Sequence, residues 1–300
     1  MNQPLSEILV INDLTVRFDL FEKSNIAIKD FDLKLYEGEM LGIVGGASSG
    51  KSILLKSIIN LVPYPGYIAG GEVIFNGTDL FHTSEENLNK IRGNDISLIL
   101  SNPRTVLNPL QTVGDQVANV SRSHHDISKA QAKKQALEMF SKVGIPDPAR
   151  RINAYPHELS GGMCQRIVIG MALINSPKVL LADEISSGLD VTVQRQIFDL
   201  LSALIKDYRS STIIVTRDFG VVANYCNRVI VMSKGMVVEM DDVRNFFDRA
   251  QHPISVNLLR STLAARGRKG NEEPIIRNES DLSGGKLVEF ESGHFVRVNK

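Results

Sequence analysis

Residues 40–52, Met-Leu-Gly-Ile-Val-Gly-Gly-Ala-Ser-Ser-Gly-Lys-Ser, decide the fold class. MLGIVGG is a short apolar run ending in glycines, the pattern of a strand buried on both faces in a parallel sheet. SILLKSIINLV (52–62) follows with helical spacing. Between them Gly45, Gly46, Ala47, Ser48, Ser49, Gly50, Lys51 and Ser52 fit G-x-x-x-x-G-K-[ST]. Backbone N–H groups of such a loop, with the N-terminus of the following helix, point inward and cradle phosphates. Lys51 would reach the β- and γ-phosphates of ATP, and Ser52 would hold Mg²⁺. A chance match in a chain of this length is roughly 1 in 100 before the strand–loop–helix context is counted.

Further along, KVLLAD (178–183), STIIVT (211–216) and RVIVM (228–232) repeat the buried-run pattern, with helix-like stretches between them. That alternation predicts an α/β fold. The runs ILVINDLTVRF (8–18) and DFDLKLY (30–36) read as strands of a different kind. From about Asn102 to Pro156 the chain turns polar and helix-biased, and SKAQAKKQALEMFSKVG (128–144) is its clearest helix. After about Arg260 it turns polar again. Ala264–Glu273 is expected to be a flexible tail, and KLVEFESGHFVRV (286–298) alternates as a hairpin would. The run Val179–Ala182 ends in Asp183-Glu184. Ligands of open parallel sheets bind at the carboxyl ends of strands, where this pair would sit. An isolated Asp-Glu pair is usually a solvated turn. Downstream of a phosphate loop, Asp183 reads as a Mg²⁺ ligand acting through water, and Glu184 as the general base that polarises the attacking water.

Composition narrows the classes. Of 300 residues, 43% are hydrophobic, and 34 basic side chains balance 34 acidic ones. A neutral chain has no global electrostatic reason to bind nucleic acid or anionic lipid. No apolar run approaches the ~20 residues that span a bilayer, and the first residues do not read as a signal peptide. Cys164 and Cys226 form no CxxC pair, so neither a disulfide framework nor a zinc site is indicated and a reducing cytosol is expected.

Leu159-Ser160-Gly161-Gly162-Met163-Cys164-Gln165-Arg166 supplies the family. A capping Ser and two glycines open the apolar helix IVIGMALIN, whose N-terminus offers N–H donors to an anion. The segment resembles the LSGGQ signature of ABC (ATP-binding cassette) proteins in its LSGGMxQR form. In that family Ser160, Gly161, Gly162 and Gln165 belong to a motif that meets the γ-phosphate of ATP held by the opposite subunit. LGIVGGASSGKS resembles the LGIVGESGSGKS of dipeptide and oligopeptide importers. NPRTVLNP resembles their DPMTSLNP, and LLADEISSGLDVTVQ their LLADEPTTALDVTVQ, which places Asp190 in the D-loop. HPISVNLLRS from His252 and GHFVRV from Gly293 resemble the start and close of the family's C-terminal extension. Phe18 falls where the family stacks an aromatic on adenine; a buried core Phe is the competing reading.

The resemblance implies a P-loop NTPase (RecA-like) core with an antiparallel β lobe, a helical signature lobe and a short C-terminal extension. The expected division is a nucleotide-binding domain over 1–250, with the helical lobe at about 102–165, and an extension over 251–300. It also implies a second ATPase subunit, two transmembrane permease subunits, an extracytoplasmic substrate-binding protein, and a peripheral position on the cytoplasmic face of the cell (inner) membrane. Three departures stand out. Ser48 replaces a loop glycine, which predicts strain or crowding of the phosphates. Ser101 replaces the Q-loop Gln and is too short to span the same gap. Arg217 replaces the switch His, and a permanently charged guanidinium cannot accept a proton. This chain's own ATP site is therefore expected to be degenerate and its signature intact, which suggests a heterodimer. A non-hydrolysing regulatory subunit of the same complex is the alternative. ABC proteins of translation or repair, which usually carry two cassettes or a long coiled coil, fit less well. No cysteine follows Cys226, so the C-terminal cysteine cluster of some relatives is absent.

Overall fold

The structure, a computed structural model, describes residues 6–20, 23–265 and 285–298. In chain order its strands are β1 (Glu7–Leu20), β2 (Lys23–Tyr36), β3 (Met40–Gly45), β4 (Gly66–Phe75), β5 (Thr78–Asp79), β6 (Ile96–Ile99), β7 (Val179–Asp183), β8 (Ser211–Thr216), β9 (Arg228–Ser233), β10 (Met236–Asp242), β11 (Lys286–Glu291) and β12 (His294–Val298). The chain divides into two compact units, 1–82 with 213–300 and 83–212.

The first unit holds an antiparallel sheet in the order β2-β1-β4-β5. Its apolar alternation carries a phase shift: Leu9, Ile11, Leu14 and Val16 are all fully buried. The step of three between Ile11 and Leu14 is absorbed by a bulge, with Asp13 at φ 49° donating its N–H to Asp32 Oδ1 at 2.8 Å. Asp tolerates the left-handed region, and the extra residue returns Leu14 to the core face. This unit also contains β11-β12-β10-β9-β3-β8. β3 is buried along its whole length and runs parallel to β9, with Gly45 opposite Met232. Arg228, at the start of β9, ties this sheet to the polypeptide leaving β2. Its Nε donates to Glu39 Oε1 at 2.5 Å and its Nη2 to Glu39 Oε2 at 3.0 Å, with its guanidinium 5.0 Å from the Tyr36 ring centroid. Phe219, Phe246, Val222, Val231, Val238 and Ile254 pack as one cluster on this sheet.

The expected C-terminal hairpin is present: β11 pairs antiparallel with β12, and β12 with β10. Of the expected tail, Ala264 and Ala265 close the helix Pro253–Ala265, and the remainder lies outside the described residues. The segments that begin at His252 and Gly293 converge on one buried carboxylate. Glu239 in β10 accepts from the backbone N–H of Gln251 (2.7 Å) and His252 (3.0 Å), and contacts His294 Nε2 at 2.8 Å. Asp241 Oδ2 lies 3.5 Å from His294 Nδ1, and all three side chains are essentially inaccessible. Removing one partner of such a group leaves buried charge uncompensated, which costs about 3–5 kcal/mol. His294→Ala should therefore destabilise the protein by about that amount in denaturant titrations and deprotect β11–β12 in hydrogen exchange. Unchanged stability with unchanged protection would show that Glu239 and Asp241 do not depend on His294.

The second unit centres on the helix Gly161–Leu173, where Cys164, Ile167, Val168, Ile169, Ala172 and Leu173 are buried. An apolar surface that broad marks a central helix. Gly170 lets a neighbouring helix close in, since a Cβ there would lie 2.9 Å from Met139 Cγ. Around it stand the helices Val113–Arg122, Lys129–Lys142 and Val191–Tyr208. Side chains cap their N-termini: Thr112, Asp190, and Ser128, which forms a full capping box with Gln131. β6 and β7 run parallel, with Ile99 opposite Ala182. Among the described residues no helix is long and apolar enough to cross a membrane.

Candidate functional site

The first unit carries the phosphate loop, Phe18 and Arg217. The loop leaves the carboxyl end of β3 and runs into the helix Lys51–Ile58. Two of its glycines are fixed by packing. A Cβ at Gly45 would stand 2.3 Å from Met232 O, and one at Gly50, where φ is 99°, would stand 2.6 Å from Ala27 O. Gly46 is different: it is exposed, with nothing within 4 Å of a Cβ placed there. Internal packing does not require glycine there. Gly50, at the N-cap, provides no side-chain cap for the helix. Lys51 is buried, and its Nζ donates to Gly45 O (2.8 Å), Gly46 O (2.8 Å) and Ser49 Oγ (3.0 Å). The ammonium is thus drawn in against the loop backbone. Bare backbone, a helix N-terminus and a central cation suit a polyphosphate. Ser52 is exposed in the first turn of that helix.

Ser48, where the family resemblance expects glycine, adopts φ 59°. For an L-residue other than Gly, Asn or Asp this conformation costs about 1–2 kcal/mol. Ala47 and Ser48 are exposed, and Ser49 is buried. Arg217 directly follows β8 and is exposed. Asp218 then caps the short helix Phe219–Tyr225 by accepting from Gly220 N–H at 2.7 Å.

The second unit carries the acidic pair, Ser101 and the signature. The β6–β7 register puts Ser101, two residues past Ile99, and Asp183, one past Ala182, at the same carboxyl end. Asp183 is buried, and Glu184 is half-buried with φ 44°. A strained backbone beside a carboxylate pair is typical of a functional turn. In the signature, exposed Ser160 accepts from Met163 N–H at 3.3 Å and so starts the helix. A Cβ at Gly161 would have nothing within 4 Å, and one at Gly162 would meet only Val193 Cγ1 at 3.3 Å. Gln165 is buried. Cys164 lies under the signature with its thiol donating to Pro156 O at 3.5 Å, and burial pushes its pKa up. Burial likewise pushes the Cys226 thiol to about 12, so neither cysteine has the depressed pKa of a nucleophile.

One supporting residue has no counterpart among the sequence motifs. Gly235, in the β9–β10 turn, donates its N–H to Ser49 O at 3.0 Å and accepts from Lys29 N–H at 3.0 Å. Its φ is 79°, and a Cβ would stand 2.4 Å from Ala27 O. The Lys-Gly dipeptide between two apolar runs signals the turn; its contact with the loop emerges only in three dimensions.

Comparison with known proteins agrees with this arrangement. The family model described as ABC transporter matches residues 28–187. The oligopeptide transport ATP-binding protein OppD of Bacillus subtilis is 43% identical over 268 residues, covering 88% of this chain and 75% of that protein. The dipeptide transport ATP-binding protein DppD of the same organism is 42% identical over 258 residues, covering 86% and 77%. Among solved structures, the dimeric ATP-binding cassette MJ0796, in a post-hydrolysis state bound to ADP and Pi, superposes with a TM-score of 0.71 at 28% identity, covering 79% of this chain and 99% of that one. The chain therefore belongs to the ABC transporter family, among the relatives of the oligopeptide and dipeptide transport ATP-binding proteins.

Proposed function

We propose that this chain is the ATP-binding subunit of an importer for peptides or related small solutes, coupling ATP binding and hydrolysis to transport. The observation that carries this reading is the phosphate loop with Lys51 drawn into it, in a chain whose relatives are peptide transport ATP-binding proteins. Lys51 binds the β- and γ-phosphates, and Ser52 and Asp183 are the groups that would hold Mg²⁺, which neutralises phosphate charge when bound. Glu184 orients and polarises the attacking water. The partners are a second ABC ATPase, two permease subunits and an extracytoplasmic binding protein. The complex sits at the cytoplasmic face of the cell membrane, where this chain is peripheral.

Within that complex this chain's own site is a weak catalyst. Ser101 and Arg217 stand where the family's Gln and His act on the transferring phosphate, and neither can take over that chemistry. The signature keeps its capping Ser and two glycines, and the open space at Gly161 suits a partner's nucleotide. The purified chain alone should turn over ATP on the order of 100-fold more slowly than the complex with its partner cassette and permeases. Steady-state ATPase assays of the two preparations test this. A lone-chain rate equal to that of the complex would overturn the degenerate-site reading. If the partner's turnover changes with this chain's nucleotide occupancy while this chain never hydrolyses, the regulatory-subunit reading is the better one.

A further inference from the structure

We infer that Arg297, in the C-terminal hairpin, is a positioning residue for the phosphate loop, acting through the β9–β10 turn that braces Ser49. Its role rests on the nucleotide-binding reading of that loop. Three stretches of backbone meet at the brace with no room for a side chain. Gly235 N–H donates to Ser49 O at 3.0 Å, and Gly235 O accepts from Lys29 N–H at 3.0 Å. A Cβ at Gly235 would stand 2.4 Å from Ala27 O. One at Gly50 would stand 2.6 Å from the same oxygen and 3.5 Å from Gly235 Cα. Packing this close transmits a shift of the turn to the loop instead of absorbing it. Ser49 passes the shift on, since its Oγ accepts from Lys51 Nζ at 3.0 Å.

Arg297 holds the strand that leaves this turn. The β10–β12 ladder pairs Glu239 with Val296 and Met240 with Phe295. Arg297 extends that grip toward the turn: its Nε donates to Val237 O at 2.7 Å, two residues from Gly235. Its Nη1 donates to Gly285 O at 2.5 Å, so one guanidinium joins β10 to the residue that enters β11. The β9–β10 register shifts between Val237 and Glu239. Such an irregularity bends its strand and disrupts the ladder locally, which makes the Arg297 bond an added hold on β10 beside the turn. The guanidinium also lies in the field of β2. Burial pulls its pKa down, and the carboxylates of Asp30 and Asp32 push it back up. Those two acids closely follow Lys29, whose N–H meets Gly235. A planar fork that stays charged can hold two carbonyls and face two carboxylates at once. The competing role is stability alone, an arginine that merely anchors the hairpin.

Hydrogen exchange of the unaltered full chain is the first measurement. If the hairpin positions the loop, a ligand that orders the loop must by linkage steady the hairpin. Saturating inorganic triphosphate with Mg²⁺ should therefore slow amide exchange several-fold at Gly235 and across β12. Unchanged exchange in β12 overturns the inference. Calorimetric titration with MgATP and with inorganic triphosphate is the second. Arg297→Met, which keeps an unbranched side chain and loses the donors, should weaken both ligands equally, by about fivefold, because the loop holds phosphates. Arg297→Lys, which retains the charge and a donor, should recover part of the loss. In a Gly235→Ala background Arg297→Met should add nothing further, since the brace is already broken. A lower melting temperature with both affinities unchanged would make Arg297 structural only and overturn the inference, as would full additivity with Gly235→Ala. Lys51→Ala, run in parallel, separates the two levels. If it weakens neither ligand, the nucleotide-site reading fails. If it weakens both while Arg297→Met weakens neither, that reading stands and the role of Arg297 alone falls.

Discussion

Lys51→Ala is expected to lower the affinity for MgATP by about two orders of magnitude or more. Each hydrogen bond to a charged group is worth about 1.5–3 kcal/mol, and the ammonium can make two with the β- and γ-phosphates. The substitution also strips the loop of its internal cation. Gly45 O, Gly46 O and Ser49 Oγ lose the donor that gathers them. Fluorescent-nucleotide titration measures the affinity, and a thermal melt run beside it separates a loosened loop from a lost ligand contact. Unchanged affinity in a folded variant would mean that the loop is not the nucleotide site.

Gly161→Asp is expected to abolish ATP-driven uptake in reconstituted vesicles, on the reading that the signature completes the partner's site. The space around Gly161 is open, so the new side chain has room and the chain should still fold. Its carboxylate would then face the partner's γ-phosphate, and like charges juxtaposed across an interface cost several kcal/mol, on the order of 100-fold or more in closure. On the proposed asymmetry, Glu184→Gln should cost only a few-fold, because Glu184 would serve the impaired site. The matching Gln substitution in the partner cassette should be crippling, since it removes the general base of the working site. If Glu184→Gln stops uptake as completely as the partner's substitution, this chain's own site is a full catalyst and the asymmetry is wrong.

Much of the fold is legible locally. The apolar runs at 40–45, 179–183, 211–216 and 228–233 need no partner to be read as buried strands, and each is one. The helix at 129–142 announces itself through the Ser128–Gln131 capping box. What could not be read is what depends on distant closure. The Asn12–Asp13 bulge looks like a break in alternation until β2 supplies Asp32 to hold it. Glu239 reads as an oddly placed acid in an apolar run, and only the fold brings His294 to it from 55 residues away. The site divides the same way. The phosphate loop is a contiguous motif with its own physics, whereas the Gly235 turn that braces Ser49 has no sequence pattern linking the two.

The bracing of the phosphate loop has a consequence for how the protein is made. β3, Gly45 and Gly50 occur early in the chain, but Met232 O, against which Gly45 packs, and Gly235, which ties down Ser49, are synthesised more than 180 residues later. An amino-terminal fragment on the ribosome therefore holds the complete phosphate-loop motif without the β9–β10 groups that wall and brace it. The contiguous unit 83–212 can organise during that interval, while the discontinuous unit waits for its second half. Cellular nucleotide, which stabilises only a formed site by mass action, can assist the last stage of this maturation but not the first.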